Sequence, residues 1–340
     1  MRKEGNLLFL FRFLQAQGIY IPTIFIVLFT SLLHPAWLYL FYIYLDWGAF
    51  GNGLASSVTN ILNYIFLSIL VLKKAKKETY FMLNVDSFRG WKEFLAVAIP
   101  SCLMICLETW NYQITAIMSG YLTDQNQING NIILLNLSLF FYMFPFGLSV
   151  ACSNLVGKYV GRFSVKATEL SCKMSILYSL ICSFLVMCFL AIIRTYVPYI
   201  YTDNEELATV VKKLIIFYIF YEFFDFLTTS YAGMFRGLGM QTIISLANFV
   251  CFYLISIPLC YGLTYPYEMG IYGTWVSYIF AIVCLVISYS FIYWKKVDFR
   301  QICIDSHKRL SRDSSIVSEA QKTESLINQQ STSQNTIILI

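Results

Sequence analysis

The amino-acid sequence predicts an all-α, polytopic transmembrane protein. Of its 340 residues, 58% are hydrophobic and only 13% are charged, and the mean hydropathy is +0.64. A soluble domain would carry about 25% charged residues. Apolar stretches of about twenty residues or more recur along the chain, and each is long enough to cross a hydrocarbon core of ~30 Å. The chain is therefore expected to cross a lipid bilayer several times.

The apolar stretches predict eight transmembrane spans. The first contains Pro22 and Pro35. Because proline removes a backbone donor, we expect that helix to be tilted or kinked. The eight predicted spans cover residues 18–44, 52–72, 93–118, 132–153, 172–193, 210–232, 242–263 and 273–294.

The connections between the spans divide the chain into four regions. The longest internal connection, residues 73–92, follows the second span and predicts a cytoplasmic linker. Residues 1–72 then form a small unit with two spans, and residues 93–296 form a bundle of six. Residues 297–340 are rich in Ser, Thr, Gln and Asn, which predicts a disordered cytoplasmic tail.

Basic residues are concentrated in alternate connections. They are dense in residues 73–92, 158–166 and 295–300, whereas the opposite side includes the acidic segment 202–206. By the positive-inside rule, the basic connections and both termini lie in the cytoplasm. These features suit a plasma membrane and a vacuole-type membrane equally well.

The sequence contains no recognisable catalytic or cofactor motif. The HExxH, GxSxG and P-loop patterns are absent, as is Cys/His zinc spacing. We therefore expect neither an enzyme nor a metal or cofactor site. The ten cysteines lie mostly in apolar segments and are interpreted as small packing residues. The net charge of +5 follows the membrane topology, so it does not indicate a nucleic-acid partner, and the sequence leaves the oligomeric state open.

Two acidic residues lie near the middle of predicted spans. They are Glu108, within the stretch CLETWNYQ, and Asp225, with Glu222 three residues earlier on a nearby face. A charge at the bilayer centre costs about 2.5–3.5 kcal/mol on insertion scales. Each acid could face a water-filled cavity or carry a proton for part of a cycle. The alternative for Glu108 is a structural hydrogen bond to a carbonyl or to Asn111.

Aromatic residues lie close to Glu108. Tyr112 is one turn further on the same helix face, whereas Trp110 points about 200° away, so only one ring readily shares a cavity with the carboxylate. An aromatic face beside a carboxylate suits an organic cation. However, the chain contains 29 Phe and 25 Tyr, so adjacency alone is weak evidence.

Helix-breaking residues lie within two of the spans. Pro100 precedes Glu108 by two turns, and Pro145 and Gly147 lie inside the fourth span. Broken helices often line the substrate path of transporters. Kinks without a role in transport are equally common in membrane helices.

Four segments together carry a family resemblance that runs from about residue 12 to 296. They are RFLQAQGIYIP, AIPSCLMICLETWNYQ, FYMFPFG and residues 232–263. In this order they closely resemble the multidrug and toxic compound extrusion transporters, the MATE family, of the eukaryotic type. The matching residues of the last segment include Arg236, Gly237, Gly239, Gln241, Asn248 and Pro258.

The resemblance implies twelve helices in two six-helix bundles around a cavity that opens alternately to each side. The eight spans would correspond to helices five to twelve, so residues 1–72 resemble a remnant of the first bundle and the chain looks N-terminally truncated. The family exports small organic, often cationic compounds against protons or, less often, sodium. Glu108 and Asp225 fall on its exchange acids. The substrate cavity is expected to include Trp110, Tyr112, Gln113 and Asn136.

The chain also departs from the family pattern. Thr109 replaces the first of two tryptophans, and Gln113 and Asn136 are neutral where some relatives carry acids, so the preferred cation stays open. One alternative function is a non-transporting, truncated or degenerate half-transporter. Another is a lipid or glycan flippase, which is less favoured because such substrates require a basic cavity and no Lys or Arg lies in mid-membrane.

Overall fold

A computed structural model of the protein describes residues 2–74, 91–122 and 124–308, and these residues form helices without any strand. Residues 75–90 of the predicted linker and 309–340 of the predicted tail lie outside the described residues. The helices are α1 (Arg2–Ala16), α2 (Ile21–Leu38), α3 (Gly48–Lys74), α4 (Trp91–Ser119), α5 (Gln125–Gly161), α6 (Val165–Ile193), α7 (Val197–Tyr201), α8 (Glu205–Leu238), α9 (Gln241–Phe249), α10 (Ile257–Thr264) and α11 (Ile271–Lys296). Two π-helical segments, Tyr39–Tyr44 and Val250–Ser256, continue α2 and join α9 to α10.

The chain divides into two compact units, residues 1–89 and 90–340. In the first unit, α2 and α3 are joined by polar side-chain contacts. The hydroxyl of Thr30 donates to Asn63 Oδ1 at 2.6 Å, and His34 Nδ1 lies 2.9 Å from Thr59 Oγ1. The first predicted span, with Pro35 inside it, changes from α to π geometry four residues after this proline, at Tyr39.

The second unit is built around α8. More than half of its 34 residues are buried, and it packs against α5, α6 and α11. The helix begins at the cap residue Asn204, whose Oδ1 accepts from the Glu206 and Leu207 amides, and ends at Gly239 in the left-handed conformation with a φ of 76°. Both ends are therefore defined by local sequence.

Glycines allow α8 to lie directly against α5. A Cβ placed on Gly237 would lie 2.8 Å from the Ser153 carbonyl oxygen and 2.8 Å from the Val156 Cβ. Gly233 meets α5 at a similarly close approach, beside Ser149. Lipid is as apolar as the helix side chains, so membrane helices associate mainly through close packing. Small residues permit that packing because they let the two backbones approach each other.

Seven helices of the described residues are long and apolar enough to cross a membrane, so the predicted count of eight spans is not confirmed. The predicted span 210–232 lies in α8, which is not among the seven. This helix is long enough, but it carries Lys212, Lys213, Glu222 and Asp225, and its neighbours cover most of its surface. The seven segments are Ile21–Tyr44, Gly48–Lys74, Phe94–Ser119, Gln125–Gly161, Val165–Ile193, Gln241–Thr264 and Ile271–Lys296.

We predict that Gly237→Ala destabilises the second unit by about 1–3 kcal/mol, because its methyl group would press on the backbone of α5. The expected result is a lower Tm of the detergent-solubilised protein. Gly262→Ala is the matched control, since a Cβ at Gly262 would meet no heavy atom of the described residues within 4 Å. Equal Tm values for the two variants would contradict this packing.

Candidate functional site

Acidic residues from α4 and α8 are brought together inside the second unit. Glu108 is half-buried on α4, and Asp225 on α8 is only 2% exposed. The charge of Glu108 interacts with those of Asp225 and Arg236, so the three form one electrostatic group. Two residues 117 positions apart in the sequence are therefore close enough for their charges to interact.

A cluster of tyrosines joins α4, α8 and α11 beside these acids. The hydroxyls of Tyr112 and Tyr221 are hydrogen-bonded, and Tyr221 in turn donates to Asp225 Oδ1 at 3.2 Å. The rings of Tyr112 and Tyr278 lie 5.2 Å apart, and Trp275 packs edge-on against Tyr221. Tyr112 is thus linked to Asp225 through a single hydroxyl group.

The structural alternative for Glu108, a hydrogen bond to Asn111, is not formed. Asn111 is fully buried, yet neither its Nδ2 nor its Oδ1 has a hydrogen-bond partner among the described residues. A hydrogen bond between Glu108 and Asn111 is therefore absent. The charge of Glu108 interacts with those of Asp225 and Arg236 instead.

Arg236 is held at the junction of α5 and α8. Its Nη2 donates to Ser149 Oγ at 2.7 Å, and its Nε lies 3.3 Å from the Ala232 carbonyl oxygen. Ser149 itself donates to the Thr229 carbonyl oxygen at 2.6 Å, so this one hydroxyl connects both helices and orients the guanidinium. The sequence identified Arg236 as a motif residue but did not single out Ser149.

Three residues expected in the substrate cavity lie on the surface of the second unit. Trp110 is 54% exposed, and Gln113 and Asn136 are exposed as well. The Nδ2 of Asn136 donates to the Ile132 carbonyl oxygen of its own helix. Of the four cavity residues predicted, Tyr112 alone belongs to the tyrosine cluster.

The remaining motif residues shape the helices around the site. Pro100 and Pro145 lie inside α4 and α5, and no heavy atom of the described residues lies within 4 Å of a Cβ placed on Gly147. Gln241 Nε2 lies 3.3 Å from the Arg236 carbonyl oxygen, and Pro258 lies in the first turn of α10, directly after the π-helical segment. These residues position helices and do not enter the tyrosine cluster.

Asn248 ties the broken helix α9–α10 to its neighbours. Its Nδ2 donates to the Met104 carbonyl oxygen at 3.0 Å, and its Oδ1 accepts from Tyr289. It therefore bridges α4 and α11, the two helices that carry Tyr112 and Tyr278. Within the described residues, no group of three or more His, Cys, Asp or Glu could hold a metal ion.

Comparison with known proteins identifies a family domain in the second unit. Residues 100–262 match the MatE family model. The zebrafish (Danio rerio) multidrug and toxin extrusion protein 1 is 30% identical over 295 residues, which cover 85% of this chain and 49% of that protein. The human (Homo sapiens) protein of the same name is 27% identical and covers 84% of this chain and 51% of its own length.

Solved structures show the same fold. The crystal structure of the eukaryotic MATE transporter AtDTX14 matches with a TM-score of 0.83 at 22% identity, covering 88% of this chain and 67% of that one. The Vibrio cholerae MATE transporter VcmN matches with a TM-score of 0.73 at 12% identity and the same two coverages. These likenesses extend over both units of the chain.

The apolar helices define an integral, multi-pass membrane protein, and its fold is that of the solved MATE structures. The family resemblance read from the motifs is confirmed, because the chain carries a MatE domain and is related to the multidrug and toxin extrusion proteins. The chain spans about half the length of the curated relatives it matches.

We predict that Ser149→Ala lowers the stability of the second unit by about 1–3 kcal/mol, because it removes one acceptor of Arg236 and a link between α5 and α8. The expected result is a lower Tm in detergent. Ser57→Ala provides the control, since Ser57 is exposed and its hydroxyl donates to the Gly53 carbonyl oxygen of its own helix. An unchanged Tm in Ser149→Ala would show that this hydroxyl does not hold the helices together.

Proposed function

We propose that the chain functions in secondary active transport, exporting organic cations or xenobiotics in exchange for protons by alternating access. The observation that carries this proposal is the electrostatic group of Glu108 and Asp225, which two different helices bring together beside a cluster of tyrosines. The relatives named as multidrug and toxin extrusion proteins support export as the direction of transport.

Exchange follows from competition for the same negative charge. Two carboxylates close together in a poorly solvated site repel each other, so the binding of a cation or a proton is favourable. An organic cation would pair with Glu108, and the ring of Tyr112 would add cation–π attraction. A proton that binds in its place removes the charge and releases the cation. Because both cannot be bound together, their movements would be coupled.

Arg236 limits how strongly the site holds a cation. Its guanidinium belongs to the same electrostatic group, and Ser149 fixes its position. The positive charge of Arg236 weakens the attraction of Glu108 and Asp225 for a bound organic cation. The release of substrate on protonation is thereby made easier.

In this proposal, the membrane topology defines the two sides between which the cation and the proton move. By the positive-inside rule, the basic connections support a topology with both termini in the cytoplasm. The N-terminal end of α8 then faces the outer side and its C-terminal end, with Arg236, faces the cytoplasm. A proton gradient directed inward would drive the cation outward.

Sodium is the alternative coupling ion, and a half-transporter that does not transport is the alternative function. Both are distinguished in liposomes that contain the full chain and a fluorescent organic cation. A pH gradient alone, a sodium gradient alone and no gradient are compared. Proton coupling requires that the pH gradient drives cation movement in the absence of sodium.

We predict that Glu108→Gln lowers this pH-driven exchange at least about tenfold, because a charge-assisted contact contributes about 1.5–3 kcal/mol. Glu169→Gln is the matched control, since the Glu169 side chain is 41% exposed and pairs with Lys173 at 2.6 Å. Both variants should insert into membranes at the level of the unmodified protein. Exchange at the unmodified rate in Glu108→Gln would remove this residue from the mechanism.

We further predict that Tyr221→Phe slows exchange by about two- to tenfold, because Asp225 loses the hydrogen bond from the Tyr221 hydroxyl and its link to Tyr112. The ring remains, so packing against Trp275 is kept. Tyr261→Phe, on a 59% exposed residue, tests the effect of losing a hydroxyl elsewhere. If the two variants transport equally fast, the hydroxyl of Tyr221 has no part in exchange.

A further inference from the structure

A third buried acid, Glu222, takes no part in the exchange described above. Its side chain is 2% exposed, close to the middle of α8. Its Oε2 accepts a hydrogen bond from the Tyr218 hydroxyl at 2.8 Å. Its Oε1 has no hydrogen-bond partner among the described residues. A buried carboxylate with one unsatisfied oxygen requires an explanation, because such groups are costly.

Glu222 repeats, three residues earlier, the arrangement found at Asp225. In each case a tyrosine donates to the carboxylate four residues further along α8: Tyr218 to Glu222 and Tyr221 to Asp225. The two tyrosine rings are stacked, with centroids 6.4 Å apart. The helix thus presents two successive Tyr-x-x-x-acid pairs on neighbouring faces.

The two tyrosine–acid pairs differ in the residues that contact them. Tyr221 is bonded to Tyr112 of α4, so the Asp225 pair opens towards Glu108. Tyr218 is fully buried and packs edge-on against Trp275, so the Glu222 pair is closed off within the bundle. A side chain enclosed in this way has no room for an organic cation beside it. A proton is the one coupling ion that needs no additional space.

Among the residues that the structure describes, no basic side chain is found to neutralise Glu222. Arg236 lies fourteen residues further along α8 and Lys213 nine residues earlier, which corresponds to about 21 Å and about 13 Å along the helix axis. The helices that pack against α8 carry their basic residues near their ends: Lys158 in α5, Lys166 and Lys173 in α6, and Lys295 and Lys296 in α11.

The ionisable groups that act electrostatically on Glu222 are Asp225 and Tyr218, both on α8 itself. The Tyr218 ring packs in turn against Tyr221 and Trp275. None of these groups supplies a positive charge.

We propose that Glu222 is a second proton-binding carboxylate of the bundle, which loads and releases a proton at Oε1 while Oε2 keeps the hydrogen bond from Tyr218. The step converts the carboxylate and one proton into the neutral acid, and its reverse returns the proton. Its part in transport rests on the proposed exchange at Glu108 and Asp225. The binding of the proton itself does not.

Infrared difference spectroscopy of the purified full chain tests the binding step. Spectra are recorded at low and high pH, and the C=O stretch of protonated carboxyl groups is compared. We expect one pH-dependent component of this band to be lost in Glu222→Gln and retained in the surface control Glu169→Gln. Identical difference spectra for the unmodified protein and Glu222→Gln would overturn the proposal.

A second variant keeps the test decisive if Glu222→Gln does not fold. Tyr218→Phe leaves the carboxyl group in place and removes its hydrogen bond, so the pH midpoint of the same component should shift. An unchanged midpoint would count against Glu222 as the source of the signal.

Transport separates this proposal from the proposed function. In liposomes, the apparent order of pH-driven exchange in proton concentration should fall by about one in Glu222→Gln, and the same order in both proteins would overturn the part of Glu222 in coupling. If the unmodified chain shows no exchange but Glu222→Gln loses the infrared component, the proposed function fails and the proton site stands. If exchange occurs and the component is unaffected, the proton site fails alone.

Discussion

The need to accommodate negative charge in the interior of the second unit is the constraint on which its architecture depends. Glu222 and Asp225 lie one turn apart on α8, and both are 2% exposed. Each intramembrane charge costs about 2.5–3.5 kcal/mol on insertion scales. In α8 this constraint is met in two ways. The helices α5, α6 and α11 pack around it, and tyrosine hydroxyls donate hydrogen bonds to both acids.

Close helix packing makes this enclosure possible. Gly233 and Gly237 let α5 approach the backbone of α8, and Ser149 then bonds to the Thr229 carbonyl oxygen and to Arg236. Hydroxyl groups of this kind satisfy polar groups that water cannot reach. The position of Arg236 relative to Glu108 is therefore a result of the same contact that holds the two helices together.

The parts of the site that could be predicted were those that depend on local spacing and on the cost of a buried charge. Glu108 and Asp225 stood out as acids in apolar segments, and Tyr112 was placed beside Glu108 by helical periodicity. Tyr221, Tyr278 and Ser149 were missed because their partners come from other helices. Their types gave no signal among 25 Tyr and many serines.

The dependence on partners from other helices also explains why the structure differs from the predictions for Trp110, Gln113 and the span in α8. Which face of α4 packs against the bundle is decided by α9, α10 and α11, so periodicity could not show that Trp110 and Gln113 are exposed on this unit. Likewise, the prediction of spans from hydropathy assumes that lipid surrounds every apolar helix. In α8 most of the apolar residues face protein instead, which is why this helix can carry two acids through the unit and why the predicted sixth span, 210–232, is not confirmed.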